Sequence, residues 1–215
     1  MAHIAKGDKS IELIIGYAID EIAEKGNNVT INQICEKHNI SKGRMYHFFT
    51  SKEDLLYHCV KYSLEQLTKT ITDFETDDNL SLKKNLHNYY LTMINHWLRH
   101  PNEIIVIRTI MKMASYAFSE ENKKKLINLK NEWVSAVTSK FINIIKSKNK
   151  KMRVNDIITG QIISTLYKQL FLTFSNELIS ALKEHDYVKA KAIKVKLLKY
   201  YDILISTFLY GILDE

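Results

Sequence analysis

With one proline and six glycines in 215 residues, this chain has few places where a helix is forced to stop. Doubly wound sheets and β-sandwiches need many tight turns, and tight turns draw on glycine and proline. The scarcity therefore points to an all-α chain of long elements before any periodicity is read. Hydrophobic residues make up 46% of the chain and charged residues 26%, enough to bury a core and inconsistent with a disordered polymer.

The periodicity agrees. Ile11, Ile14, Ile15, Ala18, Ile19, Ile22 and Ala23 fall on one face of a helix, and Gly26 with Asn27 and Asn28 supplies its stop. Thr30-Ile31-Asn32-Gln33 has the form of a capping box that opens a short second helix, with Val29 and Ile34 placed as a hydrophobic staple. That helix runs to about Lys37, and His38-Asn39-Ile40 reads as a turn. Ser41 caps a third helix, with Ile40 and Met45 as its staple. Ser51 caps a fourth, whose first turn carries Glu53 and Asp54 where the helix dipole favours acids and whose apolar pattern continues to Phe74. Thr76-Asp77-Asp78-Asn79 is a polar break. Helical patterns then cover Ser81–Leu98, Asn102–Phe118, Ser119 past Phe141, Asn155–Glu184 and Tyr187–Gly211. About nine helices result, expected to form an N-terminal three-helix domain over residues 1–52 and a larger bundle over 53–215.

The formal charge of +7 does not locate a function by itself. Basic and acidic residues balance up to Ser119 and again after Arg153, so the surplus lies between Glu120 and Arg153 and ends in Lys146, Lys148, Lys150, Lys151 and Arg153. A solvated helix face and loop is the ordinary reading of such a run. No stretch approaches 18 apolar residues, Met1–Ser10 lacks the apolar core of a signal peptide, and a cytoplasmic protein that meets no membrane is expected. Cys35 and Cys59 have neither metal nor disulfide spacing and sit on apolar faces as small core residues. His96 and His100 share a helix face but lack supporting ligands, so no metal, catalytic residue or cofactor is expected.

Two short helices joined by a tight turn are the elements of a helix-turn-helix, whose second helix enters the major groove. Ile34, Ile40, Met45 and Phe48 are placed to share a core with Ile15, Ile19 and Ile22, which leaves Lys42, Gly43, Arg44 and His47 outward. Gly43 permits close approach to the sugar-phosphate backbone, and free amides at a helix start attract phosphate.

Thr30 to Cys35, Asn39 to Phe49 and Ser51 to Leu56 together resemble the DNA-binding signature of TetR-family regulators. The resemblance implies that Thr30 caps its helix and donates to a phosphate, that Ser41 caps the recognition helix, and that Lys42, Arg44 and His47 face base edges. Tyr46 and Lys52 would hold the backbone, and an arginine facing the groove suits a bidentate contact to guanine. Two positions depart from the family pattern. Asn39 stands where glycine is usual, and Arg44 stands where a small residue is common.

The resemblance further implies a homodimer formed through the last two helices, rich in Ile157, Ile158, Ile162, Leu166, Leu170, Ile193, Leu197, Leu198, Tyr201, Leu204, Ile205 and Phe208. A near-palindromic operator in double-stranded DNA follows from the two-fold axis. The aromatic and methionine stripes of the larger domain read as core or as the lining of a pocket for a small apolar or amphipathic effector, with Tyr89, Met93, Trp97, Met111, Tyr116 and Phe171 as candidates. The expected function is a ligand-responsive repressor. A nonspecific or architectural DNA binder and a helical-bundle enzyme are the alternatives, the latter disfavoured because no nucleophile-elbow, phosphate-loop or di-iron motif is present.

Overall fold

Helix α1 (Ala2–Lys25) sets the first layer of the fold, because its face of Ile14, Ile15, Ala18, Ile19, Ile22 and Ala23 is buried. The computed structural model describes residues 2–148 and 150–213, with the side chains of residues 2–8, 167, 168 and 170–173 outside the description. After a 3-10 turn at Gly26–Asn28 come α2 (Ile31–Lys37), α3 (Lys42–Phe48), α4 (Lys52–Thr72), α5 (Leu82–Arg99), α6 (Pro101–Ala117), α7 (Glu120–Ser147), α8 (Asp156–Lys183) and α9 (Tyr187–Ile212). The described residues are all-helical, apart from an isolated bridge between Met152 and Leu213.

The helix starts follow their capping residues. Thr30 and Gln33 form the reciprocal capping box of α2, and Ser41 Oγ accepts the Arg44 N–H at the start of α3. Ser51 Oγ accepts the Asp54 N–H at 3.1 Å, while the Asp54 carboxylate accepts the Thr50 N–H at 2.8 Å. Asn155 and Asp186 cap α8 and α9. Pro101, the single proline, begins α6 at a position where its missing N–H costs nothing.

Packing groups the helices into two units, neither of them continuous in sequence: Met1–Gln66 with His100–Lys130, and Leu67–Arg99 with Asn131–Glu215. In the first unit α6 packs along α1 and the Gly26–Asn28 turn, and Asn102 donates to Asp20 at 2.8 Å. Glu53, in the first turn of α4, accepts hydrogen bonds from the Ser119 N–H at 3.1 Å, the Ser119 hydroxyl at 2.9 Å and the Asn122 amide at 2.7 Å. One carboxylate thus serves the start of α7, where orphan amides and the helix dipole favour negative charge.

The second unit is held by α5, α8 and α9. Tyr90 on α5 stacks on Tyr201 of α9 with ring centroids 3.8 Å apart, and the Tyr201 hydroxyl donates to the Leu86 carbonyl at 3.2 Å. His87 and Asp202 meet at 2.7 Å on the same pair of helices. The lysine-rich stretch is partly neutralised, since Lys146 pairs with Asp156 and Lys148 reaches Asp78.

Two details differ from the sequence expectation. Phe49 is buried and Phe48 only half-buried, because α3 ends at Phe48 and Phe49 turns to extended backbone while its N–H still reaches the Met45 carbonyl. Helix α4 stops at Thr72, and Phe74 lies beyond it with its ring against Tyr89 at 5.5 Å.

Glu21 is the buried charge of the first unit. Its side chain is only 1% exposed, and its carboxylate meets Lys25 at 2.7 Å, Lys37, and His38 at 3.4 Å. Burial raises the carboxyl pKa, but the hydrogen bonds from Lys25, Lys37 and His38 outweigh it and hold the group at about 2. A depressed folded-state pKa adds stability that is present above the unfolded value near 4.5 and lost as pH falls towards 2. Glu21→Gln is expected to lower stability by about 2 kcal/mol at pH 7. In paired urea titrations the gap between variant and parent should close between pH 4.5 and 2. An offset that stays constant across that range would rule out the charge as its cause.

Candidate nucleic-acid interface

The first unit presents one exposed short helix, and its inner face explains its orientation. Ile31, Ile34 and Cys35 of α2, Ile40 of the turn, Met45 of α3 and the following Phe49 are buried. Asn39 lies in the turn with φ +53°. Asparagine tolerates this left-handed conformation better than most side chains, so the turn closes without glycine. His38 is pinned by the Glu21 carboxylate and stacks on Tyr17 of α1 with ring centroids 4.0 Å apart. The turn is therefore tied to α1 by a hydrogen bond and by ring contact as well as by apolar packing.

With Met45 directed inward, Ser41, Lys42, Gly43, Arg44, Tyr46 and His47 are all exposed. Tyr46 is 53% exposed, although tyrosine carries a large apolar ring. The N–H of Thr30 donates to Gln33 Oε1 at 2.9 Å and its Oγ1 accepts the Gln33 N–H at 3.2 Å. Its hydroxyl proton stays available to an outside acceptor. Lys52 is half-buried and donates to the Asn27 carbonyl at 3.0 Å, and burial pulls its ammonium pKa below the ordinary value. Arg44 Nη2 donates to Ser10 Oγ of α1 at 2.8 Å. Sequence reasoning missed Ser10, since nothing in the local pattern marks a residue 34 positions away as a neighbour of Arg44.

Cys59 is fully buried and its thiol pKa is raised by burial; Cys35 is raised as well, by burial above all. Neither site favours the thiolate that redox chemistry uses. Among the described residues, no group of three or more His, Cys, Asp and Glu side chains is placed to hold a metal ion. His96 is buried with Nδ1 2.9 Å from the Thr70 hydroxyl. No helix among the described residues is long and apolar enough to cross a membrane.

The candidate effector residues divide. Tyr89, Met93 and Trp97 are buried on α5 in the second unit, and the Tyr89 hydroxyl donates to the Val137 carbonyl at 3.0 Å. Met111 and Tyr116 lie on α6 in the first unit, half-buried and 65% exposed respectively. The Phe171 side chain lies outside the described residues. Trp133 Nε1 and Ser175 Oγ are buried in the second unit without a hydrogen-bond partner. Such groups are costly unless satisfied.

A capped short helix carrying exposed basic, glycine and aromatic residues on a packed three-helix head has the arrangement of a helix-turn-helix. Residues 14–59 match the family model of bacterial regulatory proteins of the tetR family. A protein from Mesorhizobium loti described as a TetR-family transcriptional regulator has a TM-score of 0.69 at 15% identity, over 97% of this chain and 98% of that one. A transcriptional regulator from Rhodococcus gives 0.66 at 13%, over 94% and 97%. The TetR-family transcriptional regulator PfmR from Thermus thermophilus gives 0.58 at 19%, over 86% and 97%. At these identities the likeness to solved structures is one of fold. A comparison with curated proteins gives no match. The N-terminal head thus carries the match to the tetR-family model, and the chain as a whole has the fold of the solved TetR-family regulators.

The Asn39 turn yields a direct check. Asn39→Ala should cost about 1 kcal/mol, because alanine adopts positive φ less readily, whereas Asn39→Gly should be neutral or stabilising. Thermal melts of the two variants should fall on opposite sides of the parent or with glycine level with it. Equal losses for both would show that the asparagine side chain, not its backbone angle, matters.

Proposed function

We propose that this protein is a cytoplasmic, ligand-responsive repressor that binds a near-palindromic operator as a homodimer. The observation that carries the DNA-binding part is the outward row of Lys42, Gly43, Arg44, Tyr46 and His47 on α3, anchored from behind by Met45. The amide-rich start of α3 and the hydroxyl of Thr30 suit phosphates, and Tyr46 and Lys52 extend that contact. Arg44, with its planar fork, is the residue suited to guanine.

Dimerisation is supported by α8 and α9, which pack on one another and still leave large apolar side chains outside. Val188, Val195, Ile203 and Tyr210 of α9 are 83%, 62%, 56% and 85% exposed, and seven- or eight-residue steps place them on one side of the helix. Ile157 and Ile158 add to α8. Apolar exposure on this scale is costly in a monomer and ordinary at an isologous interface. Effector binding is supported by the aromatic interior of the second unit and by the unpartnered Trp133 Nε1 and Ser175 Oγ. Helix α4 contributes residues to both units, which makes it the element through which a bound molecule would shift the head between two states.

The test is a selection of genomic fragments with the purified protein, followed by titration of the enriched site at two salt concentrations. A near-palindrome bound at least about 1000-fold more tightly than random duplex supports the regulator. Uniform, steeply salt-dependent binding to every fragment would instead indicate an architectural binder. Arg44→Ala should relax preference at one base pair per half-site, at a cost of about 1–3 kcal/mol there. Lys52→Ala should weaken all sequences about equally. Ile203→Glu should convert a dimer to a monomer in sedimentation and abolish the preference for paired half-sites. A dimer that persists in this variant would place the interface elsewhere.

A further inference from the structure

The recognition helix carries an arginine restrained at both ends. Its backbone N–H donates to Ser41 Oγ at 3.2 Å, fixing the first turn of α3, and Nη2 of its guanidinium donates to Ser10 Oγ at 2.8 Å. Arg44 is exposed and Ser10 half-buried, so the hydrogen bond lies at the surface with the arginine on the outer side. Ser10 belongs to α1, which is anchored just beyond it by Ile14 and Ile15, 2% and 5% exposed. The acceptor is therefore carried by a helix and not by a loop. Met45, next to Arg44, is fully buried, so α3 cannot rotate to release the contact without exposing its own core residue.

From this geometry we propose that Ser10 is a positioning residue for base reading, and that it sets which base pair the protein prefers by holding the Arg44 guanidinium in one orientation before DNA arrives. The proposal rests on the reading of α3 as the recognition helix. A guanidinium has five N–H donors in a fixed plane, and one bond to a hydroxyl leaves four. Two of them satisfy the O6 and N7 acceptors of a guanine, which lie side by side in the major groove. A free arginine loses several rotatable bonds when it docks on a base, and part of that loss is already incurred when Ser10 holds it. A hydroxyl suits this role because it accepts from the arginine without neutralising it. A carboxylate at the same place would compete with the base and repel phosphates.

The contact acts on specificity more than on affinity. Phosphate contacts are common to all sequences, whereas an arginine released from its tether samples orientations that fit several base steps. Loss of one pre-ordered long side chain corresponds to about a three- to tenfold change in the ratio of right to wrong base.

The test is a base-substitution series in the selected operator, measured with the full-length parent, Ser10→Ala, Ser10→Thr, Arg44→Ala and the Ser10→Ala/Arg44→Ala double variant. The parent is measured first. A parent that selects no sequence defeats the DNA-binding reading itself, an outcome separate from any effect of the Ser10 variants. If the parent does select one, Ser10→Ala should lose about three- to tenfold discrimination at the base pair whose preference Arg44→Ala abolishes, and at no other. Binding to random duplex and the melting temperature should stay at parental values, since alanine favours the helix at least as well as serine. Ser10→Thr, which keeps the hydroxyl, should restore discrimination. In the Arg44→Ala background, Ser10→Ala should add nothing. Unchanged discrimination in Ser10→Ala, an equal loss at every base pair, sharper discrimination, or a loss that persists without Arg44 would each overturn the proposal.

Discussion

Helices α2 and α3 are seven residues each, too short to be stable in water, and everything the head can do depends on what holds them. That support is the buried face of α1. Ile14, Ile15, Ala18, Ile19 and Ile22 offer a flat apolar strip, and the small set of Ile31, Ile34, Ile40, Met45 and Phe49 closes the core of the head. Because Met45 is drawn inward, the residues beside it in α3 must point outward. The exposed face of α3 is thus a by-product of burying one methionine and one phenylalanine.

Apolar packing alone leaves a sliding freedom, and directional contacts remove it. Glu21 supplies one such contact, joining α1 to Lys37 and His38 at the end of α2, where the turn begins. The Tyr17–His38 stack adds a second at the same place. Glu53 supplies a third, fastening the start of α4 to the start of α7. Each carboxylate is surrounded by donors, so its desolvation is offset by hydrogen bonds to the charged form. The head is positioned by a few charge-assisted bonds set on an apolar platform.

How much of this could be read from the chain depends on how local each signal is. The capping box at Thr30, the Ser41 and Ser51 caps, the Asn39 turn and the starts of α8 and α9 all rest on residues within four positions of one another. A sequence shows such relations directly. The burial of Phe49 in place of Phe48 escaped because both are aromatic and adjacent, and the choice rests on where α3 ends. The stop of α4 at Thr72 escaped because Phe74 continues the apolar rhythm past the last helical turn. Ser10 escaped because its partner is distant in sequence.

The order of residues is enough to establish that the chain is helical, where its helices begin, and which short helix carries the exposed basic and aromatic residues. These depend on turn chemistry, capping and period, which are short-range properties. Packing in three dimensions was needed to assign α6 and the first part of α7 to the first unit and not to the helices that flank them in the chain. The same packing brings Ser10 to Arg44 and Glu53 to α7, and buries Trp133 Nε1 and Ser175 Oγ without partners. The reason is the same in each case. An amphipathic helix announces that it must bury a face, but its pattern does not say against which other helix that face will be buried.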